Sequence, residues 1–291
     1  MHFTGNVWRP PYEAASALLQ VTAGCTHNRC RFCSLYDAPF ELSPTQEVNA
    51  DIDELAQYAP RTRRVFLTGA NPFGMANARL VPILERIRER LAHVESVGGF
   101  VRIGDLRHKS DADFAQWVRL GVDDLTIGVE TGYDPALAFM DKGHTAADEL
   151  AQCRRLDEAG IRYSFFYLAG IAGAGRGEAA ARASAAVFSQ LNPIRVGILS
   201  MMLFPESRLA EDIRAGRFRM AGERELLREI RMLVSELACE TLVSTAHVSD
   251  AVHVEGVLPR DRESLLTRLD RALEELDEGV LSRYRRSVRS L

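Results

Sequence analysis

At 291 residues, 46% hydrophobic and 26% charged, the chain suits one large globular domain or a barrel carrying a small extension. A formal net charge of -4 argues against a general nucleic-acid binder, so nucleic acid is not an expected partner. The N-terminal stretch Met1-His2-Phe3-Thr4-Gly5-Asn6 lacks the basic and apolar regions of a secretory signal, and the longest strongly apolar run without charge, Tyr163 to Gly175, is too short to cross a bilayer.

These features predict a cytoplasmic protein with no membrane partner. Thiols stay reduced there, and clustered cysteines more often hold metal than form disulfides; the odd total of five cysteines points the same way. Lysine occurs only at positions 109 and 142, and no function is drawn from that bias.

In chain order, an apolar run over Ala15 to Thr22 suits a buried strand and ends at Gly24-Cys25. Pro44 to Tyr58 reads as a helix, with Ser43 as N-cap ahead of acidic Glu47, Asp51, Asp53 and Glu54. A second strand, Arg64 to Thr68, ends in Gly69-Ala70-Asn71-Pro72. The alternation then repeats as helix Leu80 to Leu91, strand Ser96 to Val101, helix Asp111 to Leu120, strand Asp124 to Val129 and helix Ala146 to Ala159. It closes with strand Arg162 to Leu168, helix Glu178 to Leu191 and strand Arg195 to Leu203, and Gly121 and Gly160 stand where helices should stop.

Six such repeats imply a parallel sheet, because parallel strands need crossover helices. Periodicity leaves an open sheet and a partial barrel as alternatives. In both, ligand sites gather at the C-terminal ends of the strands, where Cys25, Gly69 to Pro72, Glu130 and Gly170 fall. From about Ser207 the pattern turns helical, over Ser207 to Ala215, Glu223 to Ala238 and Pro259 to Leu276, around an irregular Ser244 to Leu258. The basic stretch Ser282 to Arg289 reads as a solvated helix end.

Three cysteines, Cys25, Cys30 and Cys33, lie within nine residues of Gly24-Cys25-Thr26-His27-Asn28-Arg29-Cys30-Arg31-Phe32-Cys33. The C-x2-C half fits a zinc knuckle, but structural zinc usually needs four closed ligands. Cys153 and Cys239 sit singly in predicted helices, as buried apolar thiols do. His27 as fourth ligand would demand an unusually tight loop. Three thiolates make better sense where one coordination position stays open: a [4Fe-4S] cluster, normally held by four cysteines, then leaves one iron to bind the amino and carboxylate groups of a cofactor.

The strand followed by this loop resembles the cluster loop of radical S-adenosylmethionine (SAM) enzymes, with C-x4-C-x2-C in place of the usual C-x3-C-x2-C and with the aromatic Phe32 kept before the last cysteine. The resemblance covers about residues 15 to 210. It implies an α/β fold, a partial (β/α)6 TIM-type barrel of parallel strands over 15–210, after an N-terminal segment 1–14 and before a mainly helical extension 211–291 that serves as a possible substrate cap. It implies a [4Fe-4S] cluster on Cys25, Cys30 and Cys33, and SAM bound by Phe32, Gly69, Ala70, Asn71, Pro72, Arg102, Glu130, Lys142, Gly170 and Met201.

Within that set, Phe66-Leu67-Thr68-Gly69-Ala70-Asn71-Pro72 occupies the place of the family's glycine-rich segment for the methionine amino group. The usual final glutamate is missing, so backbone carbonyls and Asn71 are expected to accept those hydrogen bonds. Ile127 to Gly132 resembles the strand-four segment, placing Glu130 by the ribose hydroxyls or amino group, and Tyr167 to Gly173 the segment beside adenine. Phe32 is expected near the adenine, Lys142 by the SAM carboxylate or as a helix-end charge, Arg102 towards the cofactor or in a structural ion pair. His27, Arg29 and Arg31 are assigned to loop shaping or cluster electrostatics.

The implied activity is reductive cleavage of SAM and hydrogen abstraction by a 5'-deoxyadenosyl radical from a small-molecule or modified substrate, with a reducing partner such as flavodoxin or ferredoxin. Aminocarboxypropyl-radical transfer, or a non-enzymatic zinc or iron–sulfur module, are the alternatives. Cys153 and Cys239 cannot supply a second three-cysteine set, which disfavours methylthio transfer, and no cobalamin domain is expected. The stretch Ser244 to Gly256, with His247, Asp250, His253 and Glu255, is the candidate substrate-facing element, or else a strand and turn supporting the last helix.

Overall fold

In a computed structural model, residues 1–36 and 38–288 are described. Asp37 and residues 289–291 are outside them, so the last residue of the basic stretch, Arg289, lies outside the described residues. The chain divides into two compact units. The first comprises Met1–Asn28, Ser34–Gly128 and Arg155–Tyr163; the second comprises Arg29–Cys33, Val129–Arg154 and Ser164–Leu291.

In the first unit the chain runs through β1 (Ala17–Gln20), β2 (Thr22–Ala23), β3 (Glu41–Leu42), α1 (Thr45–Tyr58), β4 (Arg64–Thr68), α2 (Asn77–Arg90), β5 (Ser96–Val101), α3 (Ile103–Leu106) and α4 (Asp111–Arg119). It then enters β6 (Leu125–Glu130), whose last two residues belong to the second unit. β1, β4, β5 and β6 are parallel neighbours in that order, with Leu18 opposite Phe66, Phe66 opposite Gly98, and Phe100 opposite Thr126. The apolar runs of these strands are continuous because both faces are covered: Leu19, Val65, Phe66 and Leu67 are fully buried. β2 and β3 form a separate antiparallel ribbon.

The longer helices lie close to where their sequence signals place them. Val48, Asp51, Ile52 and Leu55 give α1 its buried face at i, i+3, i+4, i+7 spacing. Ser110 and Asp113 close a capping box at the start of α4. That helix buries Trp117, which packs edge-on to Phe73 at 5.2 Å between ring centroids while its indole N–H donates to Asn77 at 2.8 Å. Ser43 does not cap α1. Pro44 holds the cap position without a side-chain bond, and the Ser43 N–H instead donates to the Val21 carbonyl, which ties it to the link between β1 and β2.

The second unit contains α5 (Asp134–Phe139), most of α6 (Ala146–Ala159), β7 (Tyr163–Ala169), α7 (Gly177–Phe188), β8 (Arg195–Ser200), α8 (Arg208–Arg214), α9 (Glu223–Glu236), β9 (Thr241–Ser244), β10 (Glu255–Leu258), α10 (Arg262–Glu275) and α11 (Glu278–Ser287). β7 and β8 pair in parallel, β9 pairs in parallel with β8, and β10 turns back antiparallel on β9. The irregular stretch expected at Ser244 to Leu258 is thus a strand end, a loop and a second strand. The architecture is α/β with mostly parallel strands and a helical C-terminal region. Among the described residues, no helix is long and apolar enough to cross a membrane.

Candidate functional site

Most residues singled out at a strand end do follow the C-terminal end of a parallel strand: Gly69 after β4, Arg102 after β5, Glu130 as the last residue of β6, Gly170 after β7 and Met201 after β8. Cys25 instead follows β2 of the antiparallel ribbon, because the expected first strand ends at Gln20. The cysteine segment passes from the first unit to the second between Asn28 and Arg29, so its two parts are held by different surroundings.

In the first unit Gly69 adopts φ +121°, and a Cβ there would lie 2.0 Å from the Thr22 hydroxyl, so only glycine fits where the turn after β4 meets β2. Ala70 is half-buried, while Asn71 and Pro72 are buried. The Asn71 amide is directed at the cysteine segment. Its Oδ1 accepts from the Thr26 N–H at 3.2 Å, and its Nδ2 donates to the Thr26 hydroxyl and to Asp105. Asp105, 8% exposed in α3, also accepts from the Thr26 hydroxyl at 3.1 Å, and the Arg102 guanidinium stands 3.7 Å from it. Neither Thr26 nor Asp105 is marked by the sequence pattern, because Asp105 lies 79 residues beyond Thr26.

In the second unit Arg29–Cys33 is threaded through backbone bonds. The Arg31 N–H donates to Met140 O at 2.9 Å, and Arg31 O accepts from Leu209 N–H at 2.7 Å. The Arg31 guanidinium pairs with buried Asp212 at 2.9 Å and lies 5.5 Å from the Phe139 ring centroid. Arg31 is therefore an anchor of the segment, as loop shaping requires. Phe32 packs on a cluster that includes Met140, Ile171 and Met201.

Beside it, the Lys142 ammonium is 2.9 Å from Glu130 and 5.9 Å from the centroid of Phe32. Glu130 takes φ +68°, a left-handed conformation uncommon for a residue with a side chain. The pair is largely buried, at 14% and 7% side-chain exposure. Lys142→Met leaves the Glu130 carboxylate without its counter-ion and is expected to cost about 3 kcal/mol, much of it recovered when Glu130→Gln is added. Denaturant unfolding of the four proteins in a double-mutant cycle checks this, and additive losses would show an uncoupled pair.

Of two further buried acids, Glu229 and Asp250, only the second was singled out by the sequence. Glu229 in α9 accepts from the Tyr167 hydroxyl at 2.6 Å and from the Gly170 N–H at 2.9 Å. Burial pushes its carboxyl up to about 7 against the lowering pull of those two bonds. Its signal was available: Glu229 stands on the apolar face formed by Leu226, Ile230 and Leu233. Asp250, in the loop between β9 and β10, accepts from the Ser200 hydroxyl at 2.7 Å, and burial pushes it up to about 8. Arg285 of α11 donates to Met201 O at 2.7 Å and Ser249 O at 2.6 Å. Of the polar residues expected to face substrate in this stretch, Asp250 is turned inward, His247 is half-buried on Ser249, and His253 and Glu255 are exposed.

The family model described as Radical SAM superfamily matches residues 19–178. The chain belongs to the radical SAM superfamily. A curated relative, tRNA-2-methylthio-N(6)-dimethylallyladenosine synthase of Hahella chejuensis, is 32% identical over 157 residues, which cover 51% of this chain and 34% of that protein. Among solved structures, a radical SAM methyltransferase of Kitasatospora setae with cobalamin and a [4Fe-4S] cluster bound is 18% identical with a TM-score of 0.56, over 69% of this chain and 37% of that one. Coproporphyrinogen III oxidase of Escherichia coli is 14% identical with a TM-score of 0.57, over 77% and 52% of the two chains. Methylornithine synthase is 14% identical with a TM-score of 0.52, over 92% and 85%. This chain spans about a third of the curated relative's length. The likeness is one of fold, and the α/β architecture is consistent with the partial TIM-type barrel of radical SAM proteins.

The residues present fit a cluster of that kind. Cys25, Cys30 and Cys33 are all partly exposed and no disulfide joins the five cysteines, so three thiols within nine residues are available as thiolate donors. Among the described residues no three His, Cys, Asp or Glu side chains converge on a single-ion position. Cys153 is fully buried in α6. Cys239 is half-buried and lies past the end of α9, not within a helix as expected, because α9 stops at Glu236.

Proposed function

We propose that this protein is a radical SAM enzyme that uses one [4Fe-4S] cluster on Cys25, Cys30 and Cys33 to cleave SAM reductively and begin hydrogen abstraction from a small-molecule or modified substrate. The observation that carries this reading is the Glu130–Lys142 pair beside Phe32, next to the last cysteine of the motif: a strained, largely buried carboxylate at a strand end, paired with a lysine over an aromatic ring. When bound, the cluster and SAM supply a one-electron cleavage of a carbon–sulfur bond, the cofactor carrying the difficult chemistry.

The chain's own part is to bind and orient. Arg31 holds the C-x2-C half against Asp212 and Phe139. Lys142 is the cation for a SAM carboxylate, and Glu130 the acceptor for ribose hydroxyls or the amino group. The turn at Gly69 and half-buried Ala70 presents backbone acceptors, Gly170 and Met201 line the adenine side, and Arg102 adds positive charge after β5. Electrons come from a small reducing protein such as flavodoxin or ferredoxin.

The test is anaerobic reconstitution with iron and sulfide, then reduction in the presence of SAM. About four irons per chain and release of 5'-deoxyadenosine are expected. Release of 5'-methylthioadenosine would instead mean an aminocarboxypropyl radical, and stoichiometric zinc without SAM cleavage would leave only a structural or redox module.

A further inference from the structure

We propose that Asn71 and Asp105 are positioning residues for Cys25, gripping Thr26 so that the extra residue between the first two motif cysteines is taken up without moving the Cys25 thiolate. The inference rests on the cluster reading above. The observation behind it is an asymmetry of burial: Thr26 is exposed, whereas Asn71 is fully buried and Asp105 nearly so. An exposed residue next to a metal ligand is therefore tied to the interior by three separate contacts. Its N–H donates to Asn71 Oδ1 at 3.2 Å, its hydroxyl donates to Asp105 Oδ1 at 3.1 Å, and that same hydroxyl accepts from Asn71 Nδ2.

The grip is closed on itself. Asn71 Nδ2 also donates to Asp105 Oδ2 at 2.5 Å, and the Arg102 guanidinium neutralises the carboxylate from 3.7 Å. A Cβ on Gly74 would come within 2.8 Å of Asn71 Nδ2 and 3.0 Å of the Asp105 carboxyl, so the turn after Pro72 leaves the amide little room to rotate away. The chain bends at Thr26 and His27, and Asn28 takes φ +43°, a conformation asparagine tolerates better than most residues. The added length is thus absorbed over Thr26 to Asn28. Cys25 stays fixed between this grip and Gly24, where a Cβ would meet the Pro39 carbonyl at 2.2 Å.

The chemistry specifies which substitutions break the grip. Asp105 receives only donors, from Thr26, Asn71 and Arg102. Asp105→Asn turns one acceptor oxygen into a donor and sets N–H against N–H. Thr26→Val keeps the shape and removes the hydroxyl; Thr26→Ser keeps the hydroxyl.

The experiment compares wild type with Thr26→Val, Thr26→Ser and Asp105→Asn as full-length iron-free proteins, following iodoacetamide alkylation of Cys25 by peptide mass spectrometry, with Cys239 in the same molecule as reference. Loss of one net hydrogen bond predicts about a fivefold faster Cys25 reaction in Thr26→Val and Asp105→Asn, with Thr26→Ser within about twofold of wild type and Cys239 unchanged. After reconstitution, the electron paramagnetic resonance signal of the reduced cluster should shift in the first two variants and return in Thr26→Ser. Unchanged Cys25 reactivity in both variants, or a parallel rise at Cys239, overturns the proposal. A wild-type protein that takes up no cluster overturns the functional reading instead, while the alkylation ranking still reports on the grip.

Discussion

Cys33→Ala is expected to lower bound iron well below four per chain and SAM cleavage by at least about a thousandfold, equivalent to roughly 4 kcal/mol on the barrier. The size of the effect follows from the donor count. With three thiolates offered by one nine-residue segment and Cys153 and Cys239 outside it, no other thiol in the described residues can take over a lost corner. Cys153→Ala and Cys239→Ala serve as controls. The first opens a small cavity in α6, where Cys153 is fully buried, and should cost stability but not iron. Iron and sulfide assay beside 5'-deoxyadenosine release decides the matter. A Cys33→Ala protein that keeps full iron and activity would remove the segment from the chemistry.

The second large effect is on stability against pH. The Glu229 carboxyl is raised by burial from an ordinary 4.5 to about 7 in the folded protein. A carboxyl with a raised folded value favours the native state most when both states are protonated. Its contribution is therefore complete below about pH 4.5 and is lost progressively until about pH 7, a loss of roughly 3 kcal/mol. Asp250, raised to about 8, loses stability in the same direction over a window reaching about pH 8.

Glu229→Gln removes the titration without emptying the site. The amide oxygen accepts the Gly170 N–H, and its NH2 donates to the Tyr167 oxygen. Chemical denaturation of wild type and Glu229→Gln at half-unit steps from pH 5 to pH 7.5 should show the variant gaining on the wild type as pH rises, by a total of about 2 kcal/mol. Parallel curves would show that Glu229 titrates normally. The bond from the Gly170 N–H also links this proton to the turn after β7.

How far the sequence reached depended on how local each signal was. The parallel strands were legible because Val65, Phe66 and Leu67, or Val97 and Val101, form short apolar runs covered on both faces. The helix ends were legible because Ser110 caps its own helix and Gly121 and Gly160 take positive φ just past theirs. The pair β9 and β10 was missed: each has four residues, and their connecting loop carries the histidines and Asp250 that read as an irregular functional stretch. Ser43 resembled a cap because its neighbours in the chain looked helical, while its real partner, the Val21 carbonyl, lies twenty-two residues earlier between β1 and β2.

The candidate site divided along the same line. Glu130 and Lys142 are only twelve residues apart in the chain. Thr26 and Asp105, or Gly170 and Glu229, meet only because the fold closes long intervals of chain, and no local periodicity encodes such a meeting.

Lys109 and Lys142, the chain's two lysines, are each only 6% exposed. The Lys109 ammonium bonds to the Met75 carbonyl and lies 5.7 Å from the Trp117 ring centroid, and that of Lys142 is tied to Glu130. Among the described side chains the native surface therefore offers almost no primary amine. Amine-coupled sensor chips, lysine-directed cross-linkers and proteases that cut after lysine find little purchase on the folded molecule beyond its terminal amino group, and arginine- or carboxylate-directed reagents must replace them. The same scarcity makes Lys142 a reporter: an acylated Lys142 peptide marks molecules in which the Glu130 corner has opened, read against a background that is nearly blank.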